Sequence, residues 1–451
     1  MVLRQGILIS LVVALLPASD ALADVGHPID VAPMVSDSRN QVWAAAAWSA
    51  QAQCWLVAWR EGYLNEPSCD IYCARLAADG TALDSKGICL STPKSARNNR
   101  PRVACDGRDF LVVWEQYRLA SDKTPETGDW DVVAKRVSAD GIADKDTLII
   151  AQGKHNQCRP DVTFARGYYL ITWMGYEGSL YGVQAIRYLP NGKAVDKTPL
   201  ILARHDPKGT NKSEPLVNAL LPVLAADQQG HVLAAFYKSP LNVREHPGYF
   251  RHLAFRSVDV SAGKAIGDPP PPRPTTKLVP GTGGYPYEEL APALALGKSG
   301  ALLVCRADSR RMTNKDRHKV LSLCRLSKSG EVISMDAFGS SLILSDSFYP
   351  LQMRPCVAFD GQTYLVVSDV LSSTKVERKH ETAWERYVRI LGWKVEEDGK
   401  LQTEDGFVVA GTPQRQCLLP AVAAGPQGTW LVVYSEVRGI DNVKVVGRVV
   451  K

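Results

Sequence analysis

A short apolar run that opens on an aromatic or aliphatic residue returns along the whole chain. Its copies are Trp55-Leu56-Val57-Ala58-Trp59, Phe110-Leu111-Val112-Val113-Trp114, Tyr169-Leu170-Ile171-Thr172-Trp173, Val232-Leu233-Ala234-Ala235-Phe236, Ala301-Leu302-Leu303-Val304-Cys305, Tyr364-Leu365-Val366-Val367-Ser368 and Trp430-Leu431-Val432-Val433-Tyr434. The period is roughly 60 residues, and a fixed period of this kind dictates the architecture. Around each copy the polar and apolar positions predict four strands. A Pro-x-Val-Ala-like run precedes it, as at Pro101 to Ala104, Pro222 to Ala225, Pro292 to Ala295, Pro355 to Ala358 and Pro420 to Ala423. A third run carries one recurring basic residue: Arg75, Arg136, Arg187, Arg256, Arg325, Lys394 or Arg448. A short fourth run follows, such as Leu148 to Ala151, Leu200 to Ala203, Leu342 to Ser345 or Phe407 to Ala410. Pairs such as Asp106-Gly107, Asp79-Gly80, Asp140-Gly141 and Asn191-Gly192 separate the first run from the second and the third from the fourth; glycine there is free to take positive φ in a tight turn.

Four antiparallel strands per repeat, without a helical pattern, describe one propeller blade. A sandwich or a solenoid is the rival. A sandwich strand with one wet face should alternate; the second run does not, as expected of a strand covered on both faces. The last unit supplies three strands and then the chain stops. Pro28-Ile29-Asp30-Val31-Ala32 reads like Pro199-Leu200-Ile201-Leu202-Ala203. The expectation is an all-β, seven-bladed β-propeller whose ring closes when this N-terminal strand completes the last blade, leaving no exposed edge.

With these residues aligned, the chain resembles the secreted repeat propellers common in bacteria, whose blades carry a Pro-x-Val-Ala, aromatic-Leu-Val-Val-Trp and Arg-Val-x-x-Asp-Gly grammar. The resemblance covers nearly the whole chain after residue 23. It implies architecture, and it implies no particular activity.

Composition refines this only at the margins. The chain has 451 residues, 45% apolar, with a formal charge of +6. That mild excess permits acidic partners and does not point to nucleic acid. Arg4, the apolar run Gly6 to Leu16, Pro17 and Ala21-Leu22-Ala23 form a charged region, a short hydrophobic region and an A-x-A-like cleavage site. We expect residues 1–23 to be a signal peptide and 24–451 to be one exported propeller, periplasmic or extracellular, monomeric and without a transmembrane segment. In an exported chain the ten cysteines can form disulfides. Candidate pairs are Cys73 with Cys89, Cys54 with Cys105, and Cys305 with Cys324.

Candidate chemistry is sparse. No His-Glu-x-x-His, Gly-x-Ser-x-Gly, phosphate-cradling glycine loop or calcium loop occurs. The expectation is no catalytic residue, no metal and no cofactor. Long variable connections should all emerge on one face, where binding sites are usually mounted. They include Gln116 to Gly128, Tyr237 to Gly248, Arg306 to Arg317, Asp369 to Glu385 and the proline tract at 268–274. Candidate ligand-binding residues are the Arg-Pro openings Arg100, Arg159 and Arg354, placed near the channel mouth, and the basic-loop residues Arg310, Arg311, Arg378 and Lys379. The candidate partner is an acidic protein surface or an anionic glycan. Glu115, Asp369 and Glu436 follow second strands and point toward the same mouth. A carbohydrate-active hydrolase or lyase is therefore the alternative to a binding or scaffolding module. Recurrence of those carboxylates at one blade position favours a structural role.

Overall fold

The structure, a computed structural model, describes residues 23–35, 39–62, 69–91, 97–118, 128–177, 180–203, 217–240, 252–266, 292–308, 317–343, 354–378, 381–403, 405–426, 428–439 and 441–451. These residues form seven four-stranded antiparallel sheets. After the N-terminal strand β1 (Ile29–Asp30), the first blade is β2 (Gln41–Ser49), β3 (Cys54–Glu61), β4 (Asp70–Ala77) and β5 (Ile88–Cys89). The second is β6 (Arg97–Cys105), β7 (Phe110–Arg118), β8 (Asp129–Val137) and β9 (Leu148–Ala151). The third is β10 (Gln157–Ala165), β11 (Tyr168–Glu177), β12 (Leu180–Tyr188) and β13 (Leu200–Ala203). The fourth is β14 (Val217–Ala226), β15 (Val232–Pro240), β16 (His252–Asp259) and β17 (Lys264–Ile266). The fifth is β18 (Ala293–Leu296), β19 (Ala301–Asp308), β20 (Arg317–Leu326) and β21 (Val332–Ile343). The sixth is β22 (Cys356–Phe359), β23 (Thr363–Arg378), β24 (Glu381–Glu396) and β25 (Phe407–Ala410). The seventh is β26 (Cys417–Ala424), β27 (Trp430–Gly439), β28 (Asn442–Val450) and β1.

The second strand of each blade explains the packing. Every residue of β3 is buried. Successive side chains point to opposite faces, so Trp55, Val57 and Trp59 enter a cluster with the seventh blade's Leu431 and Val433. Cys54, Leu56 and Ala58 enter another with the second blade's Phe110, Val112 and Trp114. Leu111 and Val113 then meet Tyr169, Ile171 and Trp173 of the third blade. The remaining clusters join the third blade to the fourth, the fourth to the fifth, the fifth to the sixth and the sixth to the seventh. The core is thus a ring of inter-blade layers. Each fully buried large side chain contributes about 1.5–3 kcal/mol.

In the first three blades the recurring third-strand base ties its blade to the next. Arg187 makes a two-pronged pair with Asp196 (Nη2–Oδ1 2.6 Å) and donates from Nη1 to the Val260 carbonyl at 2.7 Å, in the next blade. Arg75 does the same with Asp84 (2.8 Å) and the Ala139 carbonyl (2.7 Å). The turn glycine receives this arginine: a Cβ at Gly141, where φ is +81°, would sit 2.7 Å from Arg75 Cζ. Glycine is required there both by the left-handed backbone and by the neighbour.

Ring closure by the N-terminus follows the sequence expectation. Ile29 pairs with Gly447 and Asp30 with Val446, antiparallel. Asp24 and Lys451 exchange backbone hydrogen bonds at 3.1 and 2.9 Å, and Arg438 pairs with Asp30. Val31 is buried against both end blades.

Three expectations on element boundaries are corrected. The stretch Asp369 to Glu385, taken as a variable loop, includes the tips of the 16-residue strands β23 and β24. Its Val370, Leu371, Thr374 and Val376 favour strand and carry the hairpin outward. The fourth strand of the fifth blade begins at Val332, well before Leu342, because Val332-Ile333 can pair as soon as the Gly330 turn ends. The Arg-Pro pairs of the second and third blades lie inside their inner strands, which start at Arg97 and Gln157. Polar leading residues hid those starts.

A chain lacking residues 24–35 should lose about 3–6 kcal/mol of unfolding free energy, from lost burial of Val31 and its neighbours and from unpairing β28, and should self-associate through the bared edge. Urea melts with light scattering check this; unchanged stability and a monomeric state would show that closure contributes nothing.

Candidate functional site

The inner strands share a feature that the alignment does not reveal. Five of them carry a non-glycine residue at positive φ at a break in register, among them Trp43 (φ 62°), Arg100 (51°), Leu221 (54°) and Leu419 (55°). Arg159 (57°) occupies the equivalent place in the third blade. Such bulges bend the strand and re-aim one side chain. Each left-handed non-glycine residue costs of order 1–3 kcal/mol and must be held by its surroundings.

Carboxylates within the strands do the holding. Glu115 accepts the backbone N–H of Arg159, in the next blade, on Oε1 at 2.6 Å. On Oε2 it accepts the Arg100 guanidinium at 2.9 Å. Asp369 accepts the N–H of Arg354 at 2.6 Å and that of Leu419, in the next blade, at 3.3 Å. Asp161 accepts the N–H of Leu224 at 2.7 Å and faces Arg102 Nε at 3.4 Å. The structural role expected of Glu115 and Asp369 is what the geometry gives. Glu436 instead meets Arg438 (2.8 Å) and Arg415 (3.5 Å).

The side chain re-aimed at Arg100 and that of Arg354, just ahead of the sixth blade's inner strand, converge. The guanidinium carbon of Arg100 lies 5.1 Å from the Trp43 ring centroid, and that of Arg354 lies 4.0 Å from it. Arg354 belongs to the sixth blade and Trp43 to the first, with the seventh between them, so this contact spans the central channel. Arg100 and Arg354 are both buried. Burial pushes the Arg100 guanidinium down to about 9, with Glu115 opposing and Arg159 and Arg354 adding to the fall. Burial likewise pushes Arg354 down to about 10, with Arg102 and Arg159 contributing. Arginine nonetheless stays charged at neutral pH. Four guanidiniums therefore share the mouth with three carboxylates; Glu115 pairs with Arg100 and Asp161 with Arg102, and all three also accept backbone N–H groups.

The structure thus gathers the expected Arg100, Arg159 and Arg354 into one place. Trp43, which sequence reasoning missed, is the surface on which two of them rest. Trp43 is followed by Ala44, where the other inner strands have proline, and the first hairpin of its blade is longer, so the motif alignment passed over it. Arg310, Arg311 and Lys379 lie outside the described residues, as does the side chain of Arg378.

The disulfide expectations are corrected, because all ten cysteines are free thiols. Tyr72 pairs with Cys89 and Cys73 with Ile88, so Cys73 and Cys89 project from opposite faces of their strands. Cys305 pairs with Ser322 and Leu303 with Cys324. Cys305 and Cys324 are therefore diagonal neighbours, a relation that usually leaves roughly 7–8 Å between positions, beyond ordinary disulfide reach. Cys54 and Cys105 pack in one cluster between blades without a bond. Burial pushes the Cys105 thiol up to about 11 and Cys158, Cys305, Cys324 and Cys417 up to about 12. They stay protonated and unreactive at neutral pH. Among the described residues no group of His, Cys, Asp and Glu could hold a metal ion, and no helix is long and apolar enough to cross a membrane.

No family model and no curated protein matches the chain. Among solved structures, it is similar to a protein of unknown function from Dyadobacter fermentans (8% identity, 96% of this chain and 99% of that one, TM-score 0.49). It is also similar to the Penicillium chrysogenum alpha-L-arabinanase complexed with arabinobiose (12%, 77% and 92%, TM-score 0.44). A third similar structure is the Trypanosoma rangeli sialidase in complex with the inhibitor DANA (8%, 92% and 57%, TM-score 0.43). Likenesses this distant say nothing of chemistry, and the architecture stands on the chain's own strand pairing.

Two predictions follow from the geometry. Arg187→Ala, which breaks a buried two-pronged pair and the bonds to the next blade, should cost roughly 3–5 kcal/mol. Arg354→Leu, which removes a buried charge among like charges, should leave the thermal midpoint unchanged or raise it. Equal losses in the two variants would assign Arg354 to the scaffold. Burial pushes the Asp369 carboxyl up to about 6, against the lowering effect of its two N–H donors. Its pKa in the unfolded chain is about 3.9. The folded state then binds the extra proton, so this group's contribution to stability is full below about pH 4 and is lost as pH rises through about 6. Unfolding free energies measured across that window should show this decline in the wild type and not in Asp369→Asn; parallel profiles would contradict it.

Proposed function

We propose that the protein is an exported binding module that takes a carboxylate-bearing ligand at the loop-rich mouth of its central channel. The observation that carries this reading is the meeting of Arg100 and Arg354, from the second and sixth blades, on Trp43 of the first. Arg100 is already paired with Glu115, and a further buried guanidinium beside it, Arg354, is expensive to assemble. An anion seated between them would offset that cost, and bidentate hydrogen bonding suits guanidinium to carboxylate. The ring position supports specificity for the same reason. Its left-handed backbone repeats in five blades, while its side chain changes from Trp43 to Arg100, Arg159, Leu221 and Leu419; Arg354 stands before the corresponding proline of the sixth blade. Repetition serves the blade; variation on a repeated backbone serves a ligand.

The hydrolase or lyase alternative draws less support. An acid/base pair needs carboxyl groups available to a substrate, whereas both Glu115 and Asp369 accept backbone N–H groups that hold the bulges. Export rests on the Arg4 to Ala23 pattern. Cleavage after Ala23 would keep Asp24, whose backbone bonds Lys451.

Thermal unfolding of residues 24–451 with galacturonate or galactose tests the reading. Galacturonate at a hundredfold excess over its Kd should add about 2.7 kcal/mol of stability, while galactose adds none. The gain should vanish in Arg354→Leu. No gain in the wild type, or an equal gain in the variant, would overturn the anion site.

A further inference from the structure

Next to the arginines, the third blade presents a row of aromatic rings on the same face. Tyr176 and Tyr181 are direct cross-strand partners on β11 and β12. Their ring centroids are 5.0 Å apart at 65°, and His155 meets Tyr176 at 5.2 Å and 72°. All three are half-buried, each leaving part of its ring to solvent. Edge-to-face contact of this kind fixes the rings at steep angles to one another, so each offers its own exposed surface rather than one continuous plane. The inner end of the row touches the channel: Tyr181 packs against the cluster containing Leu221 of the inner ring. Burial raises its phenol, and Arg159 acts in the opposite sense. The row is also anchored. The Tyr176 N–H donates to the Asn156 carbonyl at 3.0 Å, and the Asn156 side chain accepts the Trp130 N–H at 3.0 Å.

We propose that this face binds an acidic oligosaccharide, with one uronate carboxylate on the Arg100–Arg159–Arg354 cluster and the following sugar rings laid along Tyr181, Tyr176 and His155. This rests on the anion-site reading above and extends it from a single carboxylate to a chain of sugars. The chemistry is complementary at both ends of the row. A pyranose has one face of C–H groups, which packs on an aromatic plane, and a rim of hydroxyls, which needs water or polar neighbours. Half-buried tyrosines supply an apolar plane with a polar tip. The carboxylate supplies the charge that a neutral sugar lacks, and the buried guanidiniums at the channel end are where that charge belongs. Rigid aromatic platforms order little on binding, which favours a weak, extended ligand of this kind.

Calorimetric titration of residues 24–451 with galacturonate, tetragalacturonate and uncharged galactotetraose tests the extension. Tetragalacturonate should bind on the order of tenfold or more tighter than galacturonate, and galactotetraose should not bind measurably. Tyr176→Ala and His155→Ala should each lower tetragalacturonate affinity severalfold and leave galacturonate affinity alone. Tyr176→Phe should keep most of the tetramer's affinity. Melting curves of each variant show that it is folded. If galacturonate binds, the tetramer binds no tighter and both alanine variants are silent, the aromatic row has no such role while the anion site stands. If neither acid binds, both readings fall. Equal binding of a single-stranded oligothymidylate would overturn the assignment to a glycan.

Discussion

The structure depends on one constraint: the second strand of every blade must be covered on both faces by other blades. A strand such as Cys54–Glu61, buried at every position, has no solvent face to offer. Its odd and even residues need partners on opposite sides, and only a closed ring supplies both at every blade. The N-terminal strand, the third-strand arginines and the turn glycines all serve that closure. Val31 joins the first and seventh blades, Arg75 and Arg187 bond into the next blade, and Gly141 makes room for the arginine that arrives.

Closure creates the site without being designed for it. Once the blades are fixed, seven inner strands face a common axis. A bulge in each of several strands turns one side chain from its own blade toward the others, held there by a carboxylate such as Glu115 or Asp369. The scaffold therefore carries the cost of the left-handed backbone. The residue at the bulge is then free to change, and it does: a tryptophan, two arginines, and leucines at the fourth and seventh blades. The arginines at the channel mouth and those of the third strands are chemically the same residue in opposite roles. Arg187 is matched by Asp196 and two carbonyls. Arg354 rests on Trp43 among other arginines.

The fold was legible because its determinants repeat. Each continuous apolar run, each turn glycine and each third-strand base appears in several blades, so weak local signals add, and Pro28 to Ala32 could be recognised as the missing strand. The long hairpin of β23 and β24 was not legible, because it occurs in one blade and its Ser372-Ser373 step reads as loop. The site was half legible. Arg100, Arg159 and Arg354 stood out through the proline that follows each of them. Trp43 lacks that proline. Tyr176, Tyr181 and His155 come together only through strand pairing and the connection from β9 to β10. The cysteine pairs failed for a geometric reason: sequence proximity across a turn does not say which face each side chain takes.

The central claim is that the arginines at the channel mouth assemble to hold an anion. A crystal of residues 24–451 soaked in bromide tests it most directly, because the anomalous signal locates each bound halide without a model of the ligand. The account predicts a strong site among Arg100, Arg159 and Arg354, beside Trp43. A mouth without bromide, with the Arg354 guanidinium turned away from Trp43 onto a carboxylate, would contradict it.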